Sequence, residues 1–195
     1  MSDPAHRAMS LDEFLHWDDG TETRYELIGG FPVAMAPPLE AHRILAMRLA
    51  SRIDAALSER RPCNAQTEAG VLHPDRADTF FVVDVGVSCA PYDPRRAHLQ
   101  DPLLLIEILS PSTEHHDRRT KLLAYQRIGS LQEIVLIDRD SAYAERYQRQ
   151  GAFWVVHYVD GIDQILALAS VGIEISMVEL YDGLISPNEA QTLSP

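Results

Sequence analysis

The chain has 195 residues, 46% hydrophobic and 24% charged, a composition that excludes a disordered tail, a collagen-like repeat or a coiled coil. Its length suits one domain, 1–195, with no run near the ~18 apolar residues that cross a bilayer and no apolar signal-peptide core, so a cytoplasmic protein without membrane contact is expected. The formal charge of −12 argues against nucleic acid, but residues 31–150 carry sixteen acids and fifteen bases, while 151–195 carry six acids and no base, so the middle is nearly neutral.

Ser10 to Trp17 reads as a short helix, with Ser10 as N-cap and Glu13 at the capping-box spacing. Arg24 to Met35 reads as a β-hairpin turning at Gly29-Gly30. From Glu40 to Arg60, Ile44, Leu45, Met47, Leu49, Ile53 and Leu57 recur at helical spacing, with Arg43, Arg48, Arg52 and Arg60 on the polar side. Phe80 to Ser88 and Leu103 to Leu109 are apolar runs of strand length. Ser110, Ser112 and Thr113 are N-cap candidates for a helix over Glu114 to Ile128, which Gly129 ends. Glu133 to Ile137 is a buried strand, Ala142 to Gln148 and Phe153 to Val159 form a hairpin, and Gln164 to Leu168 is a last strand before a segment with Val178, Leu180 and Leu184. This order fits an α/β fold with a mixed central sheet. Cys63 and Cys89 are too few for a disulfide framework, lack zinc spacing, and read as small packed residues.

Two residues break the strand pattern. Glu107 sits inside Leu103-Leu104-Leu105-Ile106-Glu107-Ile108-Leu109, and Asp84 inside Phe80-Phe81-Val82-Val83-Asp84-Val85. Burying an ionised carboxylate without a partner costs several kcal/mol. If both point the same way they repel, unless a cation or a shared proton lies between them, and a hard divalent ion such as Mg²⁺ has the right ligand preference. The structural alternative ends a strand at the surface at Asp84 and pairs Glu107 with an arginine. Sixteen of the seventeen basic residues are arginine, and the exception is Lys121, four residues from both Asp117 and Tyr125 on one helix face. A lysine kept in so arginine-biased a chain suggests a task that needs its compact, rotatable ammonium; a plain ion pair with Asp117 is the alternative. His115-His116 diverge by about 100° on a helix and read as solvated. Trp17, Trp154 and Phe80-Phe81 read as core, and Gly29-Gly30 lacks any phosphate-loop spacing.

Read in order from about Leu11 to Tyr181, these residues resemble a known family. The stretch Arg24-Tyr25-Glu26-Leu27-Ile28-Gly29-Gly30, the helix opened by His42, Val83-Asp84-Val85, Glu107 to Thr113, Asp117 with Lys121 and Tyr125, and Ser130 to Asp138 are similar to the Uma family of putative restriction endonucleases, in the PD-(D/E)XK nuclease superfamily. The resemblance implies a restriction-endonuclease-like core: a mixed central β-sheet flanked by helices, with an N-terminal β-hairpin. It implies that Asp84 and Glu107 bind Mg²⁺ or Mn²⁺, that Glu26 lies near the metal, and that Lys121 helps to position or activate water. His42, Asp117 and Tyr125 fall at the site's edge. The implied activity is that of a metal-dependent endonuclease hydrolysing DNA phosphodiesters through a metal-activated water, with a homodimer to cut both strands.

The superfamily motif places its lysine two residues after the glutamate, where this chain has Leu109, and a proline before the aspartate, where it has Val83. The cation would therefore come from Lys121. Two other functions stand beside the nuclease: a nuclease fold that has lost catalysis and serves as a binding or assembly module, and a hydrolase of a small phosphorylated substrate.

Overall fold

In a computed structural model, residues 7–111 and 113–185 are described. The capping box forms as its residues require. Glu13 N–H donates to Ser10 Oγ at 3.2 Å and Ser10 N–H to the Glu13 carboxylate at 2.8 Å, starting α1 (Leu11–Leu15). The hairpin follows as β1 (Tyr25–Ile28) and β2 (Phe31–Ala34). Gly29 and Gly30 take φ of 60° and 83°, the left-handed pair that a two-residue hairpin turn needs. Next, α2 (Glu40–Ala56) buries Leu45, Leu49 and Ile53, and a 3₁₀ turn (Ser58–Arg60) ends it.

The chain then forms β3 (Asn64–Leu72), β4 (Phe80–Ser88) and β5 (Pro102–Leu109). The helical segment after β5 is not the continuous helix expected. It divides into α3 (Glu114–His116), a π turn over Asp117–Lys121, and α4 (Leu122–Tyr125), ending short of Ile128. The wide turn costs helical regularity, and such turns gather at functional sites; here it keeps Asp117, Lys121 and Tyr125 all buried. Of the N-cap candidates, Thr113 holds the position without a side-chain cap bond, and Ser112 lies outside the described residues. The remaining elements are β6 (Glu133–Asp138), β7 (Tyr143–Gln150), β8 (Phe153–Asp160), β9 (Ile165–Leu168), β10 (Ile173–Ser176) and α5 (Met177–Tyr181).

Eight strands form the main sheet in the order β2-β1-β4-β5-β6-β7-β8, with β3 on β4. Only β5 and β6 run parallel, joined by the α3–α4 crossover, so the sheet is mixed but mostly antiparallel. Its α2 face packs Val85, Ile106, Ile108, Val135 and Ile137 against Leu45, Leu49 and Ile53. Its other face packs Phe81, Val83, Leu105 and Leu136 against Leu122 and Tyr125. The arginines of α2 are not a plain solvated face: Arg48 donates to the carbonyls of Leu180 and Asp182, Arg60 to that of Val171, and Arg52 pairs with Glu179. They fasten the C-terminal β9–β10 hairpin and α5 onto α2. Among the described residues, no helix is long and apolar enough to cross a membrane.

Two strands escaped the sequence. Because β3 holds Asn64, Gln66, Thr67, Glu68 and Gly70 in place of branched apolar residues, it carries little strand signal of its own; pairing with β4 along its whole length supplies the order. Gly70 is required there, since a Cβ would run into the Phe80 ring and the Ala97 carbonyl. The short β10, Ile-Glu-Ile-Ser, gains its order from β9. Missing β3 also concealed the cysteines. Asn64 pairs with Ser88, which sets Cys63 opposite Cys89, and the two form a disulfide rather than the separate packed thiols expected.

The site is placed by a fork in this sheet. With β3 covering one edge of β4, both β1 and β5 must use the other edge. There β1 pairs at Phe80, and β5 pairs from Val85 onward. Residues 81–84 lie between the two contacts. At this point the β3–β4 ladder skips one pair while keeping its register: Glu68, opposite Asp84, takes φ of 51°, and Val83 and Val85 end on opposite faces of the sheet.

Candidate active site

The backbone groups freed by the fork are satisfied by side chains. Val82 N–H donates to Glu26 Oε1 at 2.8 Å and Val82 C=O accepts from Lys121 Nζ at 2.9 Å. Ile108 N–H donates to Asp84 Oδ2 at 2.7 Å. Each of these residues therefore completes the sheet as well as building the site, because a buried backbone group without a partner is costly.

Lys121 is the centre of charge. Its Nζ lies 2.9 Å from Glu26 Oε1, 3.3 Å from Glu107 Oε1 and 3.5 Å from Asp117 Oδ1. Tyr125 Oη donates to Glu107 Oε1 at 2.6 Å. On the α2 side of the sheet, His42 Nε2 lies 2.9 Å from Asp84 Oδ1; a carboxylate only accepts, so the ring nitrogen donates. The seven residues singled out in the sequence fall into two neighbouring groups: Glu26, Glu107, Asp117 and Tyr125 around Lys121, and His42 on Asp84, whose charge acts on Glu107 and Asp117. Asp84 lies inside β4 rather than at its end, Glu107 pairs with the lysine rather than an arginine, and the Lys121–Asp117 ion pair forms, though buried rather than on a solvated face.

Burial pushes the Glu107 carboxyl well above the usual range; Lys121 opposes this, while Asp117 and Asp84 add to it. Asp117 is raised by burial too, against the pull of Lys121. Burial also acts on Glu26, yet His116, Lys121 and the Val82 N–H outweigh it and hold this carboxyl below its ordinary value. For Lys121, burial disfavours the charge, but Glu107, Glu26 and Asp117 more than compensate and hold the ammonium far above the ordinary lysine range. Lys121 is therefore a fixed cation, suited to stabilising negative charge and unsuited to accepting a proton. Tyr125 is held protonated by burial and by the Glu107 charge.

His116 is the residue sequence reasoning missed. Its Nε2 approaches Glu26 Oε2 to 3.3 Å without the alignment of a hydrogen bond, and its ring stands edge-on to Phe81 at 6.2 Å. The reading of His116 as solvated assumed a regular helix, and its nearness to Asp117 was the one available signal. His115 remains exposed.

The donor chemistry fits a hard divalent cation. Glu26, Asp84, Glu107 and Asp117 offer oxygen atoms only, and these carboxyl groups outnumber the one ammonium of Lys121. Among the described residues, no group of three or more His, Cys, Asp or Glu side chains converges as a ready cage. Mg²⁺ does not need one, since it is commonly bound by one or two carboxylates, with water and substrate phosphate completing the shell. Asp84 and Glu107 are the two carboxylates of this kind on neighbouring strands, β4 and β5.

Beside Asp84 a groove of about 490 Å³ opens between α2 and β3. Of the seven candidate residues, His42 and Asp84 line it.

Comparison with known proteins agrees with this picture. The profile of the Uma2 family, described as "Putative restriction endonuclease", matches residues 11–178. Two uncharacterised Synechocystis proteins are similar: slr1290, 26% identical over 178 residues (90% of this chain and 93% of that one), and sll1609, 26% identical over 152 residues (74% and 83%). A crystal structure from Anabaena variabilis, titled as a putative nuclease belonging to DUF820, superposes with a TM-score of 0.71 at 24% identity, covering 90% of this chain and 99% of that one. That likeness establishes the fold, a restriction-endonuclease-like α/β core.

Proposed function

Since the chain belongs to the Uma2 family, we propose that it is a metal-dependent endonuclease that hydrolyses phosphodiester bonds in DNA. One observation carries the reading: a single buried ammonium shared by three carboxylates, in a gap of the sheet that a fourth carboxylate, Asp84, closes. A purely structural network would balance its charges. This one sets four carboxyl groups against one ammonium, beside a groove.

Asp84 and Glu107 would hold Mg²⁺ or Mn²⁺. Such an ion, when bound, polarises the scissile phosphate and lowers the pKa of its water. The chain's own groups then have separable tasks. His42 and the Ile108 N–H fix the orientation of Asp84, and Tyr125 does the same for Glu107. Glu26 and Asp117 anchor Lys121, whose charge stabilises the negative charge that builds on the phosphoryl oxygens.

The test is cleavage of DNA with Mg²⁺ against the same reaction in EDTA. Cutting is expected only with the metal, and Asp84→Asn should slow it by about 10²-fold or more. Cutting that persists in EDTA and in Asp84→Asn would overturn the reading, and failure to cut at all would favour a binding module.

A further inference from the structure

From the groove between α2 and β3 we infer the form of substrate, an inference that rests on the nuclease reading: the site takes a single DNA strand, with one unpaired base inserted into the groove. The groove's volume of about 490 Å³ lies in the range of about 300–1,000 Å³ that encloses one small ligand, the size class of a nucleoside. One wall is the Ala46, Met47 and Ala50 stripe of α2, and the other is Ala65 and Thr67 of β3. These side chains are small apart from Met47, which stands 61% exposed. A thioether beside a flat cavity suits an aromatic ring, and a base in a duplex has no free face to offer it without unstacking.

Asp84 and His42 also line this groove. A base seated against Met47 therefore belongs to a nucleotide whose backbone runs past the proposed catalytic carboxylates. The groove is continuous with the site.

Charge points the same way. A bound duplex asks for a track of uncommitted cations along its phosphates. Of the α2 arginines, Arg48 and Arg60 are spent on carbonyl groups and Arg52 on Glu179. Nearby, Arg61 is paired with Asp54 and Arg24 with Glu68, which also neutralises the two acids that line the groove besides Asp84. Arg43 remains, its guanidinium held, among the described residues, by the Pro38 carbonyl alone, and both residues line the groove. One cation and apolar walls suit one phosphate and its base.

The experiment compares a labelled single-stranded oligonucleotide with the same sequence annealed to its complement, reading both Mg²⁺-dependent cleavage and binding by fluorescence anisotropy in Ca²⁺. Two variants block the groove. Thr67→Trp fills it from an exposed strand position, and Met47→Glu places a charge in it from an exposed helix position. The single strand should be cut and bound at least about tenfold better than the duplex, and both variants should lower single-strand binding about tenfold, with melting temperatures near that of the parent. Equal or preferred duplex cleavage, or single-strand binding that survives both variants, overturns the inference while leaving the nuclease reading in place. No cleavage of either form overturns both.

Discussion

Lys121→Met should cost the fold about 3–5 kcal/mol, the penalty for breaking a buried charge network by removing its cation, and should lower the thermal midpoint by roughly 6–20 °C for a chain of this size. The ammonium is nearly inaccessible, meets three carboxylates and satisfies the Val82 carbonyl. Methionine fills the same volume, so the loss is electrostatic rather than a cavity. Without the cation, Glu26, Glu107 and Asp117 repel one another until they take up protons. The deficit should therefore shrink toward acid pH and be largest above neutrality, as thermal melts across pH would show. A variant as stable as the parent at pH 8 would mean that Lys121 is not the charge that holds this site together.

Glu107→Gln should have the opposite effect on stability. In the metal-free protein the Glu107 carboxyl binds its proton more tightly folded than unfolded, because burial and the nearby Asp117 and Asp84 disfavour its charge. A raised carboxyl makes the folded state richer in protons, so its contribution to stability is intact below the unfolded value of 4.5 and is lost as pH rises through the folded one. An amide keeps the shape and can still accept from Tyr125, yet carries no charge to desolvate. In EDTA at pH 8 the variant should thus be more stable than the parent. Its cleavage rate should fall about 10³-fold, equivalent to ~4 kcal/mol of lost charge stabilisation. A gain in stability bought with activity marks a residue kept for chemistry; a loss of stability with unchanged cleavage would refute that role.

The site was more legible than the scaffold that assembles it. Asp84 and Glu107 stand out because carboxylates interrupt apolar strands, Lys121 because it is the chain's one lysine, and the spacing of Asp117, Lys121 and Tyr125 survives the π turn that breaks their helix. The capping box at Ser10 and the Gly29-Gly30 hairpin are local features, and they formed as read. What stayed hidden depends on long-range pairing. A strand such as Asn64–Leu72 is ordered by β4 rather than by its own residues, and without it neither the Cys63–Cys89 bond nor the left-handed Glu68 could be foreseen. The fork that frees Val82 and Ile108 arises from two strands sharing one edge, which no single segment encodes. His116 was misread for a related reason: its place beside Glu26 follows from how the helical segment meets β1 and β4. Arg48 and Arg60 were read as the polar side of a helix, and their partners, carbonyl groups more than a hundred residues away, were beyond any local pattern.

The claim that joins these observations is that Asp84 and Glu107 share a divalent cation. Calorimetric titration of Mn²⁺ into the metal-free protein tests it without relying on turnover. One ion should bind per chain, with affinity reduced at least about tenfold in both Asp84→Asn and Glu107→Gln. Binding that is absent from the parent, or equally strong in all three proteins, would contradict it.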